Sequence, residues 1–155
     1  MTTRLEGLPR GPDALARRVA ALEEALAQLR ARTPDMSAAD GMLPPLDADP
    51  TRWPQTTSAS YATIASCSAI WHGGLLRLAL TTTTSGGSTG NVRVMVGGYQ
   101  WGPITVAGTI FDYTDTLPAD AAVSLGDQFL LTVEAQRTGG GGSVYAQTTL
   151  IRQIS

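Results

Sequence analysis

The chain has 155 residues, a formal charge of −2 and a pI near 5.2, with one cysteine, and its eleven basic residues are all arginine. That allows one moderate domain plus an appendage and excludes a basic nucleic-acid footprint, an intrachain disulfide framework and a cysteine-rich metal site. No apolar run approaches the ~18 residues of a membrane span, and Met1-Thr2-Thr3-Arg4-Leu5-Glu6-Gly7 lacks the basic-then-apolar order of a secretory signal, so synthesis in the cytoplasm is expected.

Residues 1–12 read as a lead-in or anchor, where Leu5 and Leu8 are interrupted by Gly7, Pro9, Gly11 and Pro12. Pro12 suits a first helical position and Asp13 the positive end of a helix dipole. Residues 13–32 then carry a heptad. Val19 and Leu26 fall at a, and Leu15, Leu22 and Leu29 at d. Alanine fills much of the remainder and favours helix. A stripe this narrow predicts a coiled coil of identical chains. A β-branched a residue with Leu at d leans toward two strands, whereas Arg18-Val19-Ala20-Ala21-Leu22-Glu23 resembles the short trimerisation signature of three-stranded coiled coils. Arg18 is at g and Glu23 at e, placed to pair between neighbouring helices. A homotrimer is expected, with a dimer, or a helix docked on its own domain, as the alternatives. Fewer than three heptads are marginal alone, so contacts farther along the chain are expected to help hold the copies together.

Thr33-Pro34 ends the helix, because the residue before proline avoids the helical region. Residues 33–54 form a proline-rich linker, with Pro34, Pro44, Pro45, Pro50 and Pro54 making it extended and semi-rigid. Met42, Leu43, Leu46 and Trp53 are apolar enough to lie along a neighbouring surface.

From 55 to 155 charge thins out and period-two alternation takes over. Leu76, Leu78 and Leu80 share one face; so do Val92, Val94 and Val96, and so do Phe129, Leu131, Val133 and Ala135. Strands are expected near 60–70, 74–83, 91–97, 104–113, 128–137 and 143–154, split by glycine-rich turns at 85–90, 97–98, 125–127 and 138–142. This spacing predicts a mainly β chain whose C-terminal antiparallel β-sandwich, jelly-roll-like, follows a short N-terminal coiled-coil helix. The run 139–143 has the texture of an engineered linker, but alternating strands on both sides fit a hairpin tip better.

Catalysis finds little footing, and a non-enzymatic chain without cofactor or metal is expected. His72, the one histidine, reads as a residue at a strand end; three copies could form a metal cluster only by meeting on a trimer axis. Asp112 and Asp115 are the one close carboxylate pair in the domain, and two aspartates in a loop are usually turn formers. Gly86-Gly87-Ser88-Thr89-Gly90 has the Gly-x-Ser-x-Gly spelling but falls in a glycine-rich turn between two expected strands, with no following helix to make it a nucleophile elbow, and no phosphate loop occurs. Binding has better candidates. Tyr99 and Trp101 sit in Gly97-Gly98-Tyr99-Gln100-Trp101-Gly102, where aromatic rings in a glycine-rich turn suit stacking on sugar faces. Trp71, Phe111 and Tyr113 could extend such a platform; packing into the core or between protomers is the alternative for each ring.

The layout of short coiled coil, proline-rich strap and uncharged sandwich resembles small tail or fibre proteins of bacteriophages, particularly those infecting GC-rich actinobacteria. The segments that carry the likeness are Trp71-His72-Gly73-Gly74-Leu75-Leu76-Arg77-Leu78, Gly90-Asn91-Val92-Arg93-Val94 and Leu125-Gly126-Asp127-Gln128-Phe129-Leu130-Leu131-Thr132-Val133. The resemblance implies a trimeric virion appendage that contacts other virion proteins, some members of the group binding host-surface carbohydrate. It assigns no binding residues. Residues 1–54 are expected to attach the chain to its parent particle and 55–155 to face outward. A free lectin-like trimer, similar to the jelly rolls of the tumour-necrosis-factor and collagen-head type, and a glycan-cleaving enzyme are the competing classes.

Overall fold

A computed structural model describes residues 12–32, 44 and 46–154, and of 12–14 and 29–32 the backbone alone. Expectations for the lead-in with Leu5 and Leu8, for Pro34, Met42, Leu43 and Pro45, and for the side chain of Leu29 lie outside the described residues. The chain divides into two compact units, 1–36 and 37–155.

The first unit contains one helix, α1 (Pro12–Arg32). Proline opens it where its missing N–H costs nothing. Its 21 residues span about 30 Å. The described members of its apolar stripe are exposed: Leu15 57%, Val19 47%, Leu22 63% and Leu26 51%.

The second unit is an antiparallel β-sandwich. Its strands are β1 (Gln55–Thr56), β2 (Ala62–Ile70), β3 (Leu75–Thr84), β4 (Thr89–Val96), β5 (Tyr99–Val106), β6 (Ile110–Asp115), β7 (Gln128–Gly139) and β8 (Val144–Ile154). One sheet has the order β1-β8-β3-β6 and the other β2-β7-β4-β5. The pairs nest: β4 with β5, β3 with β6, β2 with β7 and β1 with β8. The chain is thus one long hairpin folded at the β4–β5 turn and rolled up, and β3–β8 and β4–β7 are the contacts that close the roll. This is a jelly roll.

The alternation explains the core. Leu76, Leu78, Leu80, Val92, Val94 and Val96 are fully buried, and Phe129, Leu131, Val133, Ala135, Val144 and Ala146 meet them from β7 and β8. Outward residues pair across strands: Arg77 forks onto Asp112 at 2.9 and 2.7 Å. Arg93 bonds Glu134 at 2.7 Å while its guanidinium lies 3.9 Å from the centre of the Tyr61 ring.

Two strand assignments need correction. The stretch expected as one strand at 104–113 is the end of β5 and most of β6, parted by a turn at Gly108, whose φ is +95°. Here the chain leaves one sheet for the other, and the Thr82 hydroxyl fastens the corner by donating to Thr109 O and accepting from Gly108 N. Tyr99 and Trp101 lie on β5, not in a turn. The turn is Gly97-Gly98 alone, both at positive φ (57° and 91°), as a two-residue type I′ hairpin requires. Pro103 is tolerated because β5 is an edge strand.

The glycine run at 139–143 is likewise not a hairpin tip. β7 and β8 belong to different sheets, so the run crosses the end of the sandwich beside the other crossing at 85–88. Gly142 N donates to Ser88 Oγ (2.7 Å), Ser143 N to Ser85 Oγ (3.1 Å) and Ser85 N to Ser143 O (3.0 Å). A Cβ on Gly142 would collide with the Ser85 carbonyl, whereas one on Gly141 meets nothing within 4 Å. Gly142→Ala should therefore cost about 1–3 kcal/mol, and Gly141→Ala should stay within about 0.5 kcal/mol, read from urea midpoints. Equal effects at the two sites would contradict the close crossing.

Between the edges of the two sheets, Ala65, Cys67, Leu131, Val133, Thr148 and Ile151 line an apolar gap of about 160 Å³ with Pro44 against it. Farther along the strap, Trp53 Nε1 donates to Asp47 O at 2.7 Å. Burial pushes the Cys67 thiol above its ordinary pKa, so it stays protonated and poorly nucleophilic at neutral pH.

Candidate functional site

Jelly-roll connections gather at the two ends of the roll, and one end brings together most of the residues singled out from sequence. The β2–β3 connection (71–74), the Gly97-Gly98 turn and the long β6–β7 connection (116–127) meet there. Trp71 N donates to Asp127 O (2.9 Å), Gly126 N to Trp71 O (2.8 Å), and Trp101 Nε1 to Thr116 O (2.8 Å).

Burial takes Trp101 out of the expected aromatic platform. Trp101 is 3% exposed and Trp71 8%. Trp101 packs edge-on to Tyr113 with ring centres 5.0 Å apart and contacts Phe111 behind it, while Trp71 stands edge-on to Phe129 at 6.1 Å. The inward face of β5 puts Trp101 opposite Val94, so its ring closes the core and offers no face to a ligand. Gly102 permits this packing, since a Cβ there would lie 2.7 Å from Tyr113 Cδ1. Tyr113 is half-buried, and Tyr99 is the exposed member, at 47%.

The two aspartates have separate partners. Asp112 receives the Arg77 fork, which lowers its pKa. Asp115 accepts from the Tyr113 hydroxyl (2.7 Å) and from Thr116 N (2.7 Å). These bonds lower the Asp115 pKa, and the same Tyr113 bond raises that of the phenol. The stability owed to the depressed carboxylates is present above their unfolded pKa and lost as pH falls through the folded one; that owed to Tyr113 is lost as pH rises through its raised value. His72 is exposed, and its backbone N–H donates to Gln153 Oε1 (2.8 Å). Among the described residues no three His, Cys, Asp or Glu side chains gather to hold a metal.

What this end does present is a cleft of about 500 Å³ lined by Trp71, Gly74, Leu117, Pro118, Val123 and the loop residues Thr116, Ala119, Ala122 and Ser124. Its lining has hydroxyls, peptide groups and aliphatic walls, and no ionisable side chain. Such a surface suits binding by shape and hydrogen bonds and supplies no general acid or base. Sequence reasoning found Trp71 but missed the loop, whose small residues form no motif; Pro118 before an alanine-rich stretch was its one signal.

Comparison with protein-family models, with curated proteins and with solved structures found no match.

Proposed function

We propose that the chain is a self-assembling structural and display module: α1 gathers three copies, and the jelly rolls they carry form the outward, binding part of a particle appendage. The observation that carries this is the row Leu15, Val19, Leu22 and Leu26, 47–63% exposed on a helix in a compact unit of its own. Leaving an aliphatic side chain in water forfeits about 1.5–3 kcal/mol relative to burial. The a/d spacing lets copies of the same helix recover it together. Arg18 at g and Glu23 at e supply charges of opposite sign beside the seam.

Placement on a bacteriophage tail or fibre, with attachment through residues 1–54 and a host-surface carbohydrate as the outward ligand, rests on the layout and on fold-level analogy, since jelly rolls serve both capsid and lectin domains. A free trimeric lectin-like protein would use the same zipper and the same roll. Particle association separates the two. On a density gradient of assembled particles, the intact chain should sediment with the particle band, and residues 55–155 alone should stay at the top while remaining folded. Incorporation of 55–155 at the level of the intact chain would place the anchor in the jelly roll and reverse the assignment.

A further inference from the structure

The three tryptophans differ in what their indole N–H groups do. Trp53 donates to Asp47 O and Trp101 to Thr116 O, at 2.7 and 2.8 Å. Trp71 is more than nine-tenths buried, yet among the described residues its Nε1 has no acceptor. Nor is this nitrogen among the polar atoms sealed from solvent. Trp71 lines the cleft of about 500 Å³. A buried tryptophan normally satisfies its N–H within the protein; this one leaves its donor to water or to an occupant of the cleft that the residue lines.

The rest of the cleft fits the same occupant. The Ser124 hydroxyl has no partner in the described protein, and that of Thr116 has only a 3.4 Å contact to Asp115. Leu117, Pro118 and Val123 supply apolar wall. The loop is preformed. Ala121 N bonds Pro118 O, Ala122 N bonds Ala119 O, and Ser124 N bonds the Asp127 carboxylate at 2.9 Å. Ala122 is the one described non-glycine residue at positive φ, +49°, a conformation that tends to persist where surrounding structure and function hold it. A preformed loop lowers the entropy cost of binding. No charged side chain lines the cleft, and the acids along the loop, Asp115, Asp120 and Asp127, disfavour an anion.

We propose that this cleft binds a neutral, polyhydroxylated ring, a mono- or disaccharide without a carboxylate, with the Trp71 indole N–H and the Ser124 hydroxyl as its polar contacts. The volume lies in the range of small-ligand sites. The inference deepens the binding role proposed above and names its site and ligand class.

The test uses the full chain labelled with ¹⁵N, whose three indole signals report on its three tryptophans. The probes are the methyl α-glycosides of glucose, galactose, mannose and rhamnose, with galacturonate as the anionic comparison. The indole signal that Trp71→Phe removes should shift with at least one neutral glycoside and saturate at roughly millimolar concentration, the other two staying in place. Trp71→Phe and Ser124→Ala should each weaken binding about five- to tenfold. Ser124 is exposed, so its variant keeps the test open if Trp71→Phe disturbs folding. No shift with any glycoside at ~100 mM, a response to galacturonate alone, or undiminished binding by Ser124→Ala overturns the proposal. The mass of the assembly, measured on the same samples, reads the zipper independently, so failure of the cleft and failure of self-assembly are distinguishable.

Discussion

Leu22→Glu should convert the proposed α1 assembly into single copies at micromolar concentration. Leu22 is a central d residue of α1, 63% exposed in the single chain, so every copy that joins buries one such leucine against the others. Each loses about 1.5–3 kcal/mol of burial on substitution. The replacement also brings like charges together in a layer that excludes water, where unpaired charge costs several kcal/mol more. Multiplied over the copies, the loss exceeds what fewer than three heptads can supply. The thermal transition of the jelly roll should not move, because the helix and the sandwich are separate compact units. Arg18→Ala gives a smaller, salt-sensitive weakening, in the ~0.2–1 kcal/mol range of exposed pairs. Velocity sedimentation of the variants at two salt concentrations checks the two assembly expectations, and a thermal melt followed by circular dichroism checks the third. Persistence of the oligomer in Leu22→Glu would move the seam to the β domain.

Trp101→Ala should destabilise the jelly roll by about 3–5 kcal/mol, and Tyr99→Ala by no more than about 0.5 kcal/mol. The indole of Trp101 closes one end of the core against Phe111 and Tyr113, and its loss also leaves the Thr116 carbonyl without its donor. A domain has about 5–15 kcal/mol of stability in all, so the first change removes a large share of it. Urea unfolding followed by circular dichroism separates the two variants. Equal, small effects would return Trp101 to the surface as a ligand-stacking ring and undo its placement in the core.

That contrast shows where sequence was a sufficient guide and where it was not. Leu76, Leu78 and Leu80, Val92 to Val96 in alternation, and Phe129 to Ala135 in alternation mark their inward faces by period alone, because each faces a single core. Tyr99 and Trp101 were misplaced because glycines bracket them, Gly97-Gly98 before and Gly102 after, and a short glycine-flanked stretch has the composition of a turn. Only Gly97-Gly98 is the turn. Gly102 sits where β5 loses register with β4 between Val92 and Val94, a bulge that sequence texture does not distinguish from a loop. The glycine run before Ser143 failed for a different reason. Whether a glycine connection closes a hairpin or crosses between sheets depends on partners tens of residues away, here the nested pairing of β1 with β8 and β2 with β7. The cleft was hidden most deeply. Leu117, Pro118, Ala119, Ala122 and Val123 carry no chemical signature, and Trp71 becomes informative only when its unpartnered N–H is compared with those of Trp53 and Trp101. The helix α1 and the shared face of Leu15, Val19, Leu22 and Leu26, by contrast, were readable from sequence, since a helical period needs no knowledge of the rest of the chain.

Sedimentation equilibrium of the intact chain at micromolar concentration is the most direct measurement. Assembly through α1 predicts a single species of three times the 16.2 kDa chain mass, insensitive to dilution across the micromolar range and lost in Leu22→Glu. A mass of one chain under the same conditions contradicts it.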